Sequence, residues 1–228
     1  MDRTSELNAQ EYPVSIPAGS VMLDGNLWLP KTARGVVLFA HGSNSSQNSV
    51  RNRYIAQVMR QAKLATLLIN LLTPKEKAID RQLNHLQFDI GLLVERLLDT
   101  TNWLLQHPTT QNLGIGYLTT STGSAAALMA ATEHPEAVGA IACYNGRPDL
   151  AGSALSRVRT PTLLIVGGND IGAIELNQDA LEYLHTEKQL ESIPGATRLV
   201  EEADAVEEVA RLASQWFERY LTSVAQRG

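Results

Sequence analysis

Short, solid apolar runs alternate along this chain with longer stretches in which apolar residues recur every three or four positions. The runs Val21–Leu29, Gly35–Ala40, Ala65–Leu71, Leu113–Leu118, Ala137–Cys143, Thr162–Val166 and Gln189–Ile193 read as strands. Most are nearly unbroken Val, Ile, Leu and Ala, as expected of strands buried on both faces of a parallel sheet. Helical spacing covers Arg51–Lys63, Lys77–Gln106, Gly123–Glu133, Ala173–His185 and Ala203–Thr222. In the last of these, Val206, Val209, Ala210, Ala213, Trp216 and Phe217 form one stripe, assigned to core packing. Strand and helix alternating through short connections predict an α/β fold: a doubly wound, mostly parallel sheet with helices on both faces. Ligands in such sheets bind at the carboxyl ends of the strands, so residues placed there are the first candidates for chemistry.

Composition narrows this picture without redirecting it. With 228 residues and no internal repeat or linker, the chain reads as one domain over 1–228, with residues 1–12 as a loosely ordered lead-in. Hydrophobic residues at 44% and charged residues at 19% exclude a disordered chain. A net charge of −5, with no offsetting Lys/Arg cluster, argues against nucleic acid as a partner. No run approaches the roughly 18 apolar residues of a membrane span, and the first residues hold no apolar leader segment. A single cysteine, Cys143, allows no internal disulfide and fits a reducing, cytoplasmic setting. The pattern carries no signature of a particular oligomeric state.

The most informative segment is Gly114–Ala130, GIGYLTTSTGSAAALMA, where an apolar strand runs into Ser121 and a small-residue helix begins at Gly123. A serine on such a turn is the arrangement of a nucleophile elbow. The turn exposes the hydroxyl, and the Thr122 amide at the helix N-terminus can donate to an oxyanion. The match to G-x-S-x-G is half complete, because Thr119 stands where the motif has glycine. The competing reading is a serine that caps an ordinary helix. Upstream, VVLFAHGSNSS ends a buried strand in His41-Gly42 and a small polar loop, from which the Ser43 or Asn44 amide could complete an oxyanion hole. Downstream, TLLIVGGND puts Asp170 at a strand end, where it can act as a triad acid, as a cap for the next helix, or as both. No His/Cys/Asp/Glu set has metal-ligand spacing, and no glycine-rich phosphate loop is present, so neither a metal nor a cofactor is expected.

The segments FAHGS, RNRYIA, LLTPKEKAIDRQ, FDIGLLVERL, STGSAAAL, GRPDLAG, PTLLIVGGND and IPGAT give the chain its resemblance to the dienelactone-hydrolase-like α/β-hydrolases from about residue 12 onward. That resemblance implies an α/β-hydrolase fold and hydrolysis of a small ester or lactone. The chemistry would use a Ser or Cys nucleophile, a His base and an Asp. In the family the residue after IPGAT is the triad histidine; here it is Arg198. Arginine stays protonated and cannot take the serine proton, although it can pair with Asp170. His107, His134 and His185 end helices that start at the catalytic face, and His85 sits partway along its helix. Only His41 directly follows the carboxyl end of a strand.

Other departures gather at the strand ends: Thr119-Thr120, Asn44, Asn70 and Cys143-Tyr144-Asn145. Such clustering is the pattern of an active site redesigned, or engineered, on a natural scaffold. A Cys143 thiol with His41 as base is an alternative site, weighed against Cys143 as a small buried hydrophobe. Asn145 can line the pocket or donate to an oxyanion. The expectation is therefore a weak or engineered ester hydrolase built on Ser121, Asp170 and Arg198. Its alternative is a non-catalytic protein of the same fold that binds a small ligand or is inert. The short Pro148–Arg159 connection predicts an open cleft without a lid.

Overall fold

A computed structural model describes residues 10–41, 49–83, 85–197, 199 and 202–221, with Gln10 and His41 described in backbone only. Eight strands form one sheet in the order β1-β2-β4-β3-β5-β6-β7-β8. They are β1 Gln10–Ala18, β2 Val21–Leu29, β3 Gly35–His41, β4 Ala65–Asn70, β5 Gly114–Ser121, β6 Val138–Gly146, β7 Thr162–Gly167 and β8 Lys188–Ile193. From β4 to β8 every neighbouring pair is parallel, while β1–β2 and β2–β4 are antiparallel. Alternate strand residues feed two cores, one on each face, which is why the parallel strands read as solid apolar runs. Val37, Phe39, Leu118, Ala142 and Ile165 meet α1 (Val50–Gln61) and α6 (Ala203–Tyr220). Leu38, Ala40, Tyr117, Ile141 and Leu164 meet α3 (Ile90–Gln106), α4 (Gly123–Glu133) and α5 (Ile171–Tyr183). Each fully buried Leu or Ile in these layers contributes about 2 kcal/mol through area removed from water. The Tyr117 hydroxyl, buried among them, shares a 2.6 Å hydrogen bond with Thr101.

The doubly wound sheet is as the pattern implied, with three corrections. Gln10–Ala18 is an edge strand, so residues 10–12 belong to the sheet and not to a loose lead-in. Its prolines, Pro13 and Pro17, lie at exposed positions, as an edge strand permits. The helix expected over Lys77–Gln106 is two helices, α2 (Pro74–Leu83) and α3, with a 3₁₀ turn at Leu86–Phe88 between them. Thr73 and Glu76 start α2 as a capping box: the Thr73 amide donates to Glu76 Oε2 at 2.7 Å and the Glu76 amide to Thr73 Oγ1 at 3.2 Å. The buried Asp80 carboxylate accepts from the Leu86 and Gln87 amides, and Asp89 caps α3 through the Leu92 amide, so the break is built by carboxylates. Third, β6 runs on to Gly146, which puts Asn145, and not Cys143, beside the strand's end. Among the described residues no helix is long and apolar enough to cross a membrane.

Candidate active site

β3, β5 and β6 are adjacent, so their carboxyl ends converge on Ser121, the last residue of β5. Ser121 is exposed and holds φ at 53°, a left-handed conformation that a side chain with Cβ adopts only when its surroundings impose it. The surroundings that do so are specific. The Arg147 amide donates to the Ser121 carbonyl at 3.0 Å, pinning the turn to the end of β6. The Thr122 hydroxyl donates to the Gln87 carbonyl at 2.7 Å, tying the first residue of the turn to the 3₁₀ segment. At the pairing of Ser121 with Gly146 the β5–β6 register is irregular. A Cβ on Gly146 would lie 2.3 Å from Ser124 Oγ and 2.8 Å from Ser124 Cβ, so only glycine lets β6 pass the start of α4. Asn145, next to that glycine, is likewise left-handed at φ 49°. Two adjacent strand ends therefore carry strained non-glycine residues, a concentration typical of functional sites.

Asp170 stands three residues beyond β7 and caps α5, accepting from the Ala173 amide at 3.0 Å. The turn before it is bolted to the segment after β8: Gly168 N–H to Ile193 O at 2.8 Å and Asn169 N–H to Ala196 O at 2.9 Å. Asn169 Nδ2 adds a bond to Gly195 O at 2.9 Å. Residues 193–197, which lead into position 198, thus run alongside the Asp170 turn. Arg198, Ser43 and Asn44 lie outside the described residues, and of His41 only the backbone is described, as the last position of β3 opposite Asn70.

Two sequence candidates are placed elsewhere than expected. Thr119 is fully buried, with its hydroxyl 3.4 Å from both Ser124 Oγ and Cys143 Sγ, and it packs beneath α4. Cys143 is fully buried in the same layer, and burial pushes its thiol pKa up, which keeps it protonated and a poor nucleophile. The described geometry therefore gives a Cys143 site no support. His85 was placed partway along a helix; it is exposed in the break between α2 and the 3₁₀ turn. His107 and His134 cap the far ends of α3 and α4, and His185 follows α5, all at the end of the sheet away from Ser121.

The contact that sequence reading missed is the 3₁₀ segment against the elbow. Its signals were Asp80, which accepts from the Leu86 and Gln87 amides, and the capping aspartate Asp89, both hidden by the apolar period running through them. At the end of β4, Asn70 Oδ1 accepts from Lys77 Nζ at 2.7 Å, and burial together with Arg81 pushes the Lys77 pKa down. Among the described residues no group of three His, Cys, Asp or Glu could hold a metal ion.

This is the α/β-hydrolase fold. Solved structures of that fold superpose on the chain, among them the esterase domain of a Rhodothermus marinus protein, at a TM-score of 0.72 and 20% identity over 92% of this chain and 99% of that one. With the dienelactone hydrolase of Anabaena variabilis the chain shares 56% identity at a TM-score of 0.90, covering 94% of this chain and 99% of that chain. The chain belongs to the dienelactone hydrolase family. It is also 45% identical over all 228 residues to proteins of Mycobacterium tuberculosis, strains CDC 1551 and H37Rv, that carry a provisional phosphoribosyl transferase name. The chain spans about half the length of those curated relatives, 51%. No family model matches it.

Proposed function

We propose that this chain is a serine-type hydrolase of small carboxylic esters or lactones whose turnover is held down by the missing base at position 198. The observation that carries the reading is Ser121 itself: exposed, left-handed and clamped between β6 and the 3₁₀ turn at the strand-to-helix junction. Strain of this kind costs on the order of 1–3 kcal/mol, and a serine that merely capped α4 would not need it. In this reading Ser121 attacks the ester carbonyl. The Thr122 amide, with one from Ser43 or Asn44, would stabilise the oxyanion, and Asn145 is a further candidate donor. Asp170 is the acid of this reading, and Arg198, at the family's base position, cannot accept the serine proton. The departures at the strand ends are then alterations of a hydrolase site, whatever their origin. No metal or cofactor enters the scheme. The transferase name belongs to proteins about twice this length.

A second reading, binding of a small ligand without turnover, is favoured by Arg198 alone. A serine-directed fluorophosphonate separates the two, followed by intact mass and by 4-nitrophenyl acetate hydrolysis in wild type and Arg198→His. The expected outcome is slow labelling at Ser121 and at least about tenfold faster hydrolysis once histidine is restored. A folded Arg198→His variant that stays at background would overturn the triad assignment.

A further inference from the structure

We infer that the surface around Ser121 selects esters with an apolar acyl chain or ring, an inference that rests on the hydrolase reading of the same site. Among the described residues ten large hydrophobic side chains are exposed, and five of them lie on segments that the topology brings to the carboxyl edge of the sheet: Val50 at 86%, Leu83 at 65%, Ile171 at 63%, Phe88 at 56% and Leu150 at 39%. Their placement follows from bonds and topology. Phe88 adjoins Gln87, whose carbonyl holds the Thr122 hydroxyl, and Leu83 ends the helix just ahead of that turn. Leu150 lies three residues past Arg147, whose amide holds the Ser121 carbonyl. Val50 opens α1 after β3, the strand paired with β5, and Ile171 opens α5 directly after Asp170.

Scattered exposed hydrophobics are ordinary, but five of them on the sheet edge that carries a strained serine make a binding surface. Two cationic side chains at the same edge already have partners. Arg147 forms a two-pronged pair with Asp149 at 2.8 and 2.7 Å, and Lys77 bonds Asn70. Affinity for substrate therefore comes from apolar contact with the rim, whereas the oxyanion donors orient the carbonyl. Each methylene that the rim takes out of water is worth about a factor of four. Two such methylenes give about fifteenfold between a long and a short acyl group.

The test compares ethyl and octyl fluorophosphonates as labels of the intact protein, and 4-nitrophenyl acetate with the octanoate as substrates. Wild type, Phe88→Ser and Leu150→Ser are used, the substituted positions being exposed and so tolerant of change. In parallel, saturation-transfer NMR follows methyl octanoate and methyl acetate with Ser121→Ala. The expected result is octyl labelling about tenfold faster than ethyl, most of that preference lost in each rim variant, and transfer from methyl octanoate only. Equal labelling by both reagents, with no transfer from methyl octanoate, overturns the inference and leaves Ser121 as the nucleophile. No labelling by either reagent, with octanoate transfer intact, overturns the nucleophile reading and keeps the apolar site. If the rim substitutions instead dissolve a dimer seen by light scattering, with chain-length preference unchanged, the rim is a self-association surface and the inference fails.

Discussion

The carboxyl ends of β5 and β7 present the two side chains that a hydrolase would couple, Ser121 and Asp170, and the chain builds them in opposite ways. At β5 the backbone is forced into the left-handed region, a neighbouring residue is forced with it, and the close approach of Gly146 to Ser124 tolerates no extra atom. At β7 the backbone of Asp170 is at φ −94°, and its carboxylate does what any N-cap does. Packing alone explains Asp170; packing alone does not explain why Ser121 is held in strain. The difference teaches which of the two residues carries independent evidence of function, and it can be sharpened by substitution.

The largest effect is expected at the support of the elbow. Gly146→Ala should cost about 2 kcal/mol of stability by driving β6 away from α4, and Ser124→Gly in the same chain should recover most of it. Urea unfolding of the single and double variants measures the coupling. Independent, additive costs would mean that the close approach is not what fixes the turn. Next come two substitutions of opposite sign. Ser121→Gly removes the left-handed penalty and should stabilise the fold by about 1 kcal/mol while abolishing phosphonate labelling. Asp170→Ala loses the α5 cap and should destabilise by a similar amount, about 1 kcal/mol, whereas Asp170→Asn keeps the cap and loses little. A Ser121→Gly variant less stable than wild type would show that the elbow is not strained.

The smallest effect is a pH dependence seated in the core around the elbow. Burial raises the pKa of Cys143, Tyr117 and Tyr144 above their ordinary values. In alkali the unfolded chain therefore releases these protons first, and the folded state binds more protons than the unfolded one. Stability must then fall as pH rises past the ordinary thiol value of about 9. Denaturation midpoints at pH 7, 9 and 10.5 should decline in that order, and Cys143→Ala should flatten the first part of the decline. A midpoint that does not change between pH 7 and 10.5 would contradict the burial of these groups.

Much of the frame was legible because the parallel strands are buried on both faces and so cannot hide their apolar runs. β2 and α4 stand where the pattern put them, at Val21–Leu29 and Gly123–Glu133. Strand ends were harder to read. β5 and β6 outrun their apolar stretches into Thr119-Thr120-Ser121 and Tyr144-Asn145-Gly146, where polar residues are accommodated by α4 and by neighbouring backbone. The edge strand β1 was missed because its prolines interrupt the pattern, and it pairs on one side only, with β2. The α2–α3 break was missed because the apolar period continues through it, while the features that build the break are two carboxylates, the buried Asp80 and the capping Asp89.

By itself the sequence determined the class of fold, the family, and the identity of the serine at the strand-to-helix junction. Hydrophobic period and motif spacing are local, and local order is what a linear chain records. Only the tertiary structure decided that Ser121 and Asn145 are strained together and that the 3₁₀ turn clamps Thr122. It also decided that Thr119 and Cys143 are packing residues, and that five exposed hydrophobics from five separate segments share one edge of the sheet. Each of these facts joins residues far apart in the chain, and their meeting depends on strand order and register, which no short window of sequence contains.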